Sequence, residues 1–464
     1  MDFIMEQKKT PVKQKVDVVV VGGGPAGFGA AVAAARNGAE TLLIERYGFF
    51  GGMLTAGLVR WMPIDKFVPL EAYGETKPLL GGIAQELMTR LVELGGAIDP
   101  AVAYQAEAGF EEFFPTDPEI DKVVLSDTLQ EAKAQVLLHA LAVDAIKEGD
   151  EVKGVIIESK SGRQAILADV VIDASGDADI AAVAGAEYTK SDDPMMMTLV
   201  GFMANVDVER AIEYTKPEGK EKFNSLVDEA IDKGDLVISL KKRVTASVPS
   251  LKLMAPLILD TKKIPAKWHR RGEAGGWMES AYGDCSNVDD LTSAELKARA
   301  ATLPILRFFR KYVPGYENAY LAYTGTQVGV RDSRRIVGGY VITAEKDLQE
   351  GIRHDDVVVQ TRTGILGANR DISLYTPDVS PVWDIPYRSI VPKAIDRLLV
   401  AGRCISMDAQ AATLISPRDI ATCIAIGQAA GTAAALSVEK KVKPRDLDIK
   451  VLQDTLKKQG VNLG

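Results

Sequence analysis

The sequence predicts an α/β fold in which a parallel central sheet carries an antiparallel meander and an α+β region is inserted into the sheet-bearing part. Three observations carry this. Val16–Val21 is an unbroken apolar run that ends in Gly22-Gly23-Gly24-Pro25-Ala26-Gly27 and passes into an alanine-rich helical segment, the punctuation of a βαβ unit. Further apolar runs at Thr41–Ile44, Val170–Asp173 and Arg397–Val400 suit strands covered by helices on both faces. The 464 residues are 47% hydrophobic and 26% charged, ordinary for a soluble globular chain. That length suits roughly two to three domains.

Taken in order, the residues up to Lys15 are polar and lysine-bearing, unlike a signal peptide. After the first strand, Phe28–Asn37 is helical and Gly38 stands where a left-handed cap belongs. Lys122–Lys133 is again helical. Gln135–Ile146, Val152–Ser159 and Gln164–Ala168 form the meander, turning at Glu148-Gly149-Asp150 and Lys160-Ser161-Gly162. From residue 190, polar helices such as Val208–Lys233 alternate with strands such as Thr198–Ala204. The stretch 264–287, rich in Gly, Pro and Trp, reads as loops. Thr292-Ser293-Ala294-Glu295 matches a capping box that opens a helix towards Tyr312. The β-branched run after Arg331 predicts a strand with Arg331 and Arg335 on one face and Arg334 on the other. Pro417–Leu436 is a long helix of small residues. The layout expected is a first domain over 12–189, an insertion over 190–325, a return over 326–445 and a tail over 446–464.

Charge and cysteine content exclude several classes. Lys plus Arg number 55 against 64 Asp plus Glu, a net charge of −9, which disfavours nucleic acid as a partner. The three cysteines, Cys285, Cys404 and Cys423, form no Cys-x-x-Cys pair, so a disulfide scaffold, a zinc site and an iron–sulfur cluster are not expected. No metal site is predicted. Ile420–Val438 has the length of a membrane span, but its small side chains suit a tightly packed soluble helix, so no membrane partner is expected and the default compartment is the cytoplasm.

Gly22-x-Gly24-x-x-Gly27 between a strand and a helix is the fingerprint of a dinucleotide site. The first glycine permits the turn, the second admits a pyrophosphate to the backbone, and the third lets helix and strand pack closely. The helix N-terminus adds free N–H groups and a favourable dipole. Glu45, ending the second strand, is placed to accept from ribose hydroxyls. FAD is favoured over NAD because glycines follow in Arg46–Thr55, and Ala174–Asp177 and Ala401–Arg403 put small residues after buried strands, giving an extended cofactor room. No second Gly-x-Gly-x-x-Gly lies between a strand and a helix, so no nicotinamide domain is evident.

Four stretches, Val18–Thr55, Val170–Ala186, Val328–Thr343 and Leu398–Ala435, resemble the FAD-dependent oxidoreductase family of glutathione-reductase-type Rossmann flavoproteins, in the branch related to fumarate reductase and succinate dehydrogenase flavoprotein subunits. The resemblance implies a Rossmann-type FAD-binding domain with an inserted substrate domain. It implies that Gly22, Gly24 and Gly27 cradle the pyrophosphate, Glu45 holds the adenosine ribose, and Gly51, Gly52 and Thr55 approach the pyrophosphate or flavin. Val143 would present backbone to the adenine, Gly176 and Asp177 would close over the dinucleotide, and Gly402 and Arg403 would sit by the ribityl chain. Pro25, Ala26, Arg46, Met53, Ala174 and Gln428 complete the implied contacts, and the helix after Pro417 would aim its N-terminus at the flavin. Related disulfide reductases carry a cysteine pair after the first βα unit; none is present, which excludes dithiol exchange. Covalent-flavin relatives place a histidine near Phe49–Gly52; none of the three histidines is there, so non-covalent FAD is expected. Met407–Pro417 has Gln410 and no histidine, against a histidine proton relay there.

Among the rest, Arg331 and Arg335 are the catalytic candidates, since a guanidinium fork suits a carboxylate substrate or the reduced cofactor; the bland reading pairs the arginines with Asp332, Glu345 and Asp347. His354 and His269 read as surface residues, His139 as packed within the meander, and Cys404 as an inert buried thiol. The function expected is hydride transfer between a small organic substrate, a carboxylate among the candidates, and flavin N5, with a separate electron-transfer partner. A flavin monooxygenase and a non-redox binding protein on the same fold are the rivals, and a homo-oligomer stays open.

Overall fold

The computed structural model describes residues 4–69, 75–105, 113–192, 196–211, 217–236, 272–362, 381–413 and 418–464. Its central sheet begins with β1 (Val12–Val21), whose last four residues are fully covered, followed by α1 (Pro25–Arg36) and β2 (Thr41–Ile44). α1 ends at Asn37, and Gly38 takes a positive φ of 88° as the cap requires. Then come α2 (Pro118–Glu131), β3 (Gln135–Leu137), β4 (Ala140–Glu148), β5 (Glu151–Ser159) and β6 (Gly162–Asp173).

The strand order is β3-β2-β1-β6-β5-β4, with β1–β2, β2–β3 and β1–β6 parallel and the β6-β5-β4 meander antiparallel. Two meander expectations need correction. Gln135–Ile146 is not one run: His139 sits exposed at φ 55°, not packed, and the break sends β3 to the parallel edge and β4 into the meander. Gln164–Ala168 and Val170–Asp173 are a single strand, β6, whose first half pairs β5 while its last three residues pair a strand from the far end of the chain.

A second sheet is built from β7 (Met197–Ala204), β8 (Ala274–Ala281), α3 (Val288–Tyr312) packed on it, and β9 (Tyr320–Thr324), in the order β8-β7-β9, all antiparallel. The loop expected over 264–287 is wrong at 274–281. Gly275 lies within that strand, where a Cβ would fall 2.3 Å from Gly201 O, so the glycine allows two strands to press together. α3 starts at Val288, not at the Thr292 box, because Asn287 caps it first by accepting from the N–H groups of Asp289 and Asp290. His269 and 237–271 fall outside the described residues.

The chain returns through β10 (Leu398–Val400), parallel to β6, and α4 (Ile420–Lys440), then ends with α5 (Ile449–Lys458). α4 is long and apolar enough to cross a membrane, yet its residues from Ile420 to Ser437 are all buried inside the protein. It lies on α1 so closely that a Cβ on Gly427 would meet Ala26 O at 1.9 Å and one on Gly431 would meet Ala30 O at 2.1 Å. Its small-residue stripe is therefore a helix-packing surface. Between the sheets, the strand expected after Arg331 shrinks to Arg335–Ile336, paired with Tyr188–Thr189. On either side of it Gly329 exchanges backbone hydrogen bonds with Thr198 and Ile342 bridges to Met407, while Arg331, Ser333 and Arg334 are held through their side chains.

Candidate cofactor and substrate site

The cradle forms where β1 runs into α1. Gly22 takes φ 96°, its N–H donates to Ile44 O, and a Cβ there would lie 2.6 Å from Ala174 O. A Cβ on Gly27 would overlap Gly22 O at 1.7 Å. Gly24 is different: the nearest atom to a Cβ there is Gly52 Cα at 3.9 Å, so the space above it is open. Pro25 opens the helix, Ala26 is buried behind it, and neither a side-chain cap nor an acidic residue opposes the positive end of α1. This is the geometry of an anion cradle.

Two walls complete it. Glu45 is buried; its Oε2 accepts from Gly23 N–H (2.7 Å) and its Oε1 from Tyr47 N–H (2.8 Å), leaving lone pairs on both oxygens for ribose hydroxyls. The loop after it leans on the cradle: Gly51 N–H donates to Gly23 O, and a Cβ on Gly52 would lie 2.9 Å from Gly24 Cα. Thr55 Oγ1 donates to Phe50 O (2.6 Å), holding the loop shut. Met53 is half-buried beside Gln327, whose Oε1 accepts from both exposed Arg46 and Tyr47. Val143 falls at the register shift in the β4–β5 ladder, out of regular pairing. An open glycine cleft, an unopposed helix N-terminus and a pinned carboxylate fit a dinucleotide.

Behind the cradle, Asp177 gathers three segments. Its Oδ1 accepts from Arg403 Nη2 (2.5 Å) and Ser333 Oγ (2.5 Å), and its carbonyl from Arg334 Nη1 (3.0 Å). Gly176 takes φ 83°, and a Cβ there would crowd Arg403 Nη1 at 2.9 Å. Arg403 Nε is buried with no hydrogen-bond partner among the described residues, a donor that suits a ligand oxygen. Gly402 takes φ 99° against Ala26. Asp173 closes β6 by accepting from Ser175 and from Ala181 N–H (2.8 Å), and burial raises its carboxyl to about 6.

Three expectations shift. Gln428 does not face the cradle: its Oε1 accepts from Ile83 N–H (2.9 Å) and its Nε2 donates to Gln459 (3.0 Å), so the amide ties α4 to its neighbours. Arg335 and Arg331 do not share a strand face. Arg335 is buried against Asp332 and Met407 O, a structural ion pair, whereas Arg331 reaches β7, where Nη1 donates to Met196 O (2.8 Å) and Thr198 Oγ1 (2.5 Å). His354 is not a surface residue: its side chain is 9% exposed and its Nε2 lies 2.7 Å from Asp347 Oδ1. Cys404 is buried, and burial pushes its thiol well up. α4 starts at Ile420, where Asp419 accepts from Thr422 N–H, and Pro417 lies outside the described residues. Sequence reasoning missed Ser333, whose hydroxyl holds the Asp177 carboxylate from a segment far along the chain.

The second sheet closes over this region. Thr326 N–H donates to Ala56 O (2.7 Å), and Trp61, Phe202 and Tyr323 stack at 6.4 and 5.2 Å to make an apolar wall. The fold and cradle define an FAD-dependent flavoprotein enzyme of Rossmann type. Residues 17–456 match the profile described as FAD dependent oxidoreductase, and the chain belongs to that family. Among curated relatives, thiamine thiazole synthase of Methanococcus vannielii is 29% identical over 35% of this chain and 56% of its own length. Digeranylgeranylglycerophospholipid reductase of Thermoplasma volcanium is 30% identical over 34% of this chain and 39% of its own. The chain thus spans about half the length of these relatives, or less. A geranylgeranyl bacteriochlorophyll reductase-like structure from Thermoplasma acidophilum aligns over 96% of this chain and 84% of that one, at 17% identity and a TM-score of 0.47.

Proposed function

We propose that this protein is a dehydrogenase or reductase of the branch related to fumarate reductase and succinate dehydrogenase flavoprotein subunits, moving hydride between a carbon of a small organic substrate and non-covalently held FAD. The observation that carries this is the cradle at Gly22–Gly27, joined through the Ala56–Thr326 hydrogen bond to a second sheet with an aromatic wall. Bound FAD supplies the two-electron chemistry. The chain orients it: the α1 N-terminus takes the diphosphate, Glu45 the ribose, and Arg403 Nε a cofactor oxygen. Trp61, Phe202 and Tyr323 exclude water from the substrate side, which favours charge transfer between fixed groups. Electrons reach or leave the site through a separate redox partner, and three buried cysteines that form no disulfide fit the reducing cytoplasm.

The test is an anaerobic one. Protein whose flavin has been chemically reduced is mixed with a panel of organic acceptors while the visible flavin band is followed. Rapid reoxidation by one chemical class without oxygen is expected. Reoxidation that needs oxygen and an organic compound together would make the protein a monooxygenase, and a chain unable to take up FAD would make it a binding protein.

A further inference from the structure

The second sheet covers one face of α3 and leaves the other to solvent. Ala294, Ala298, Ile305 and Phe309 make the buried side, packed on the strands. On the opposite side, Asp289, Leu296, Leu303 and Arg310 recur every seven residues, close to two helical turns, so they line up along one stripe. Leu296 is 68% exposed and Leu303 53%, and the exposed residues Thr292, Ala300 and Arg307 fill the stripe between the others. A surface helix ordinarily turns polar residues outward. Two large apolar side chains aligned on the solvent side call for a covering surface.

The charges on the stripe are sorted by end. Asp289 stands in the first turn, Arg307 and Arg310 near the last, and none of the three forms an ion pair among the described residues. Arg310 uses only its Nε, which donates to Glu317 O at 3.3 Å. The spacing is also symmetric. Leu296 and Leu303, Thr292 and Arg307, and Asp289 and Arg310 are pairs equally distant from the point between Arg299 and Ala300. A second copy laid antiparallel over that point sets leucine on leucine near the centre and opposite charges together at both ends. Parallel packing would set aspartate on aspartate and arginine on arginine. The centre itself tolerates the approach. Ala300 is small, and Arg299 is held by its own chain, pairing with Glu295 (3.0 Å) and donating to Gly325 O (3.2 Å) and Thr326 O (3.0 Å).

We propose that α3 is the contact surface of a homodimer, in which two copies of this chain pack antiparallel about a two-fold axis between Arg299 and Ala300, Leu296 of each against the partner's Leu303. Such an interface is isologous: the same stripe serves both copies and the assembly closes at two. The leucines supply affinity, and the end charges fix direction and register. One helix face is smaller than the roughly 20–30 residues a side of a standard interface, so the dimer is reversible and depends on concentration. The inference stands on α3 alone and is independent of the reaction proposed above.

The test is sedimentation velocity of the full, FAD-loaded chain across a dilution series. The wild type should pass from twice the chain mass to the 49.9 kDa monomer as it is diluted. Leu296→Glu and Leu303→Glu should each raise the dissociation constant about tenfold or more, since each sets an unpaired carboxylate against the partner's leucine. The end charges test the direction. Asp289→Arg alone and Arg310→Glu alone should each weaken the dimer. The double variant, which places opposite charges together only in antiparallel packing, should recover most of the lost affinity. Thermal midpoint and FAD content show which variants are folded; should a leucine variant misfold, the charge swap, made on exposed side chains, carries the comparison. A chain that stays monomeric at every soluble concentration overturns the proposal. So does a dimer unaffected by the folded leucine variants, which would put the interface elsewhere. A double charge variant no tighter than the single ones overturns the antiparallel register.

Discussion

Adding one methyl group at Gly24 and one at Gly27 should separate cofactor binding from folding. Gly24 has φ −69° and ψ −175°, a conformation open to any L-residue, and a Cβ there approaches nothing nearer than Gly52 Cα at 3.9 Å. Gly24→Ala should therefore cost the apoprotein no more than about 1 kcal/mol, the scale of changes at a helix N-cap. The same methyl stands in the cleft that the pyrophosphate must enter, and FAD affinity should fall about a hundredfold or more, with Gly24→Val losing retention altogether. At Gly27 the methyl would sit 1.7 Å from Gly22 O, well inside van der Waals contact, and both atoms belong to backbone that cannot swing away. The turn itself must open, at a cost of about 3 kcal/mol, the upper end for overpacking. The assay is the thermal midpoint of each apoprotein beside FAD titration by absorbance. Wild-type FAD affinity in Gly24→Ala, or equal loss of apoprotein stability in the two variants, would refute the division of roles.

Protein purified with its flavin should be yellow and release intact FAD on acid or heat denaturation; colour that stays with the precipitated chain would reveal a covalent link. NADH and NADPH should reduce the flavin slowly under anaerobic conditions, and fast bleaching that saturates at low concentration would expose a nicotinamide site. Gly431→Ala drives a Cβ to 2.1 Å from Ala30 O and should destabilise the α1–α4 contact by about 1–3 kcal/mol, seen as a lower thermal midpoint. Burial raises the Asp173 carboxyl to about 6 from an ordinary 3.8, so the folded state keeps a proton that the unfolded chain releases. That contribution is full below pH 3.8 and is lost as pH rises through about 6, a change of about 3 kcal/mol. Asp173→Asn should flatten this part of the pH–stability curve, and an unchanged slope between pH 4 and 7 would count against it.

What the amino-acid sequence determined by itself is the part of the molecule whose constraints are local. The turn after β1 needs a positive φ at Gly22 and bare backbone at Gly24 and Gly27, and these demands act within six residues, so the motif announces the cradle. Glu45 follows from the end of the next strand, and the Gly38 cap from the end of α1. The register of β6 was not available in this way, because its last residues pair with Leu398–Val400, more than two hundred positions away. Nor were the fates of the polar side chains. Gln428 looked like a cofactor ligand until Ile83 and Gln459 took both ends of its amide, and Arg335 looked, like Arg331, a catalytic guanidinium until Asp332 neutralised it. Periodicity and turn chemistry record what a residue does to its neighbours in the chain; whether a buried charge is balanced is decided by residues brought near only when the two sheets close.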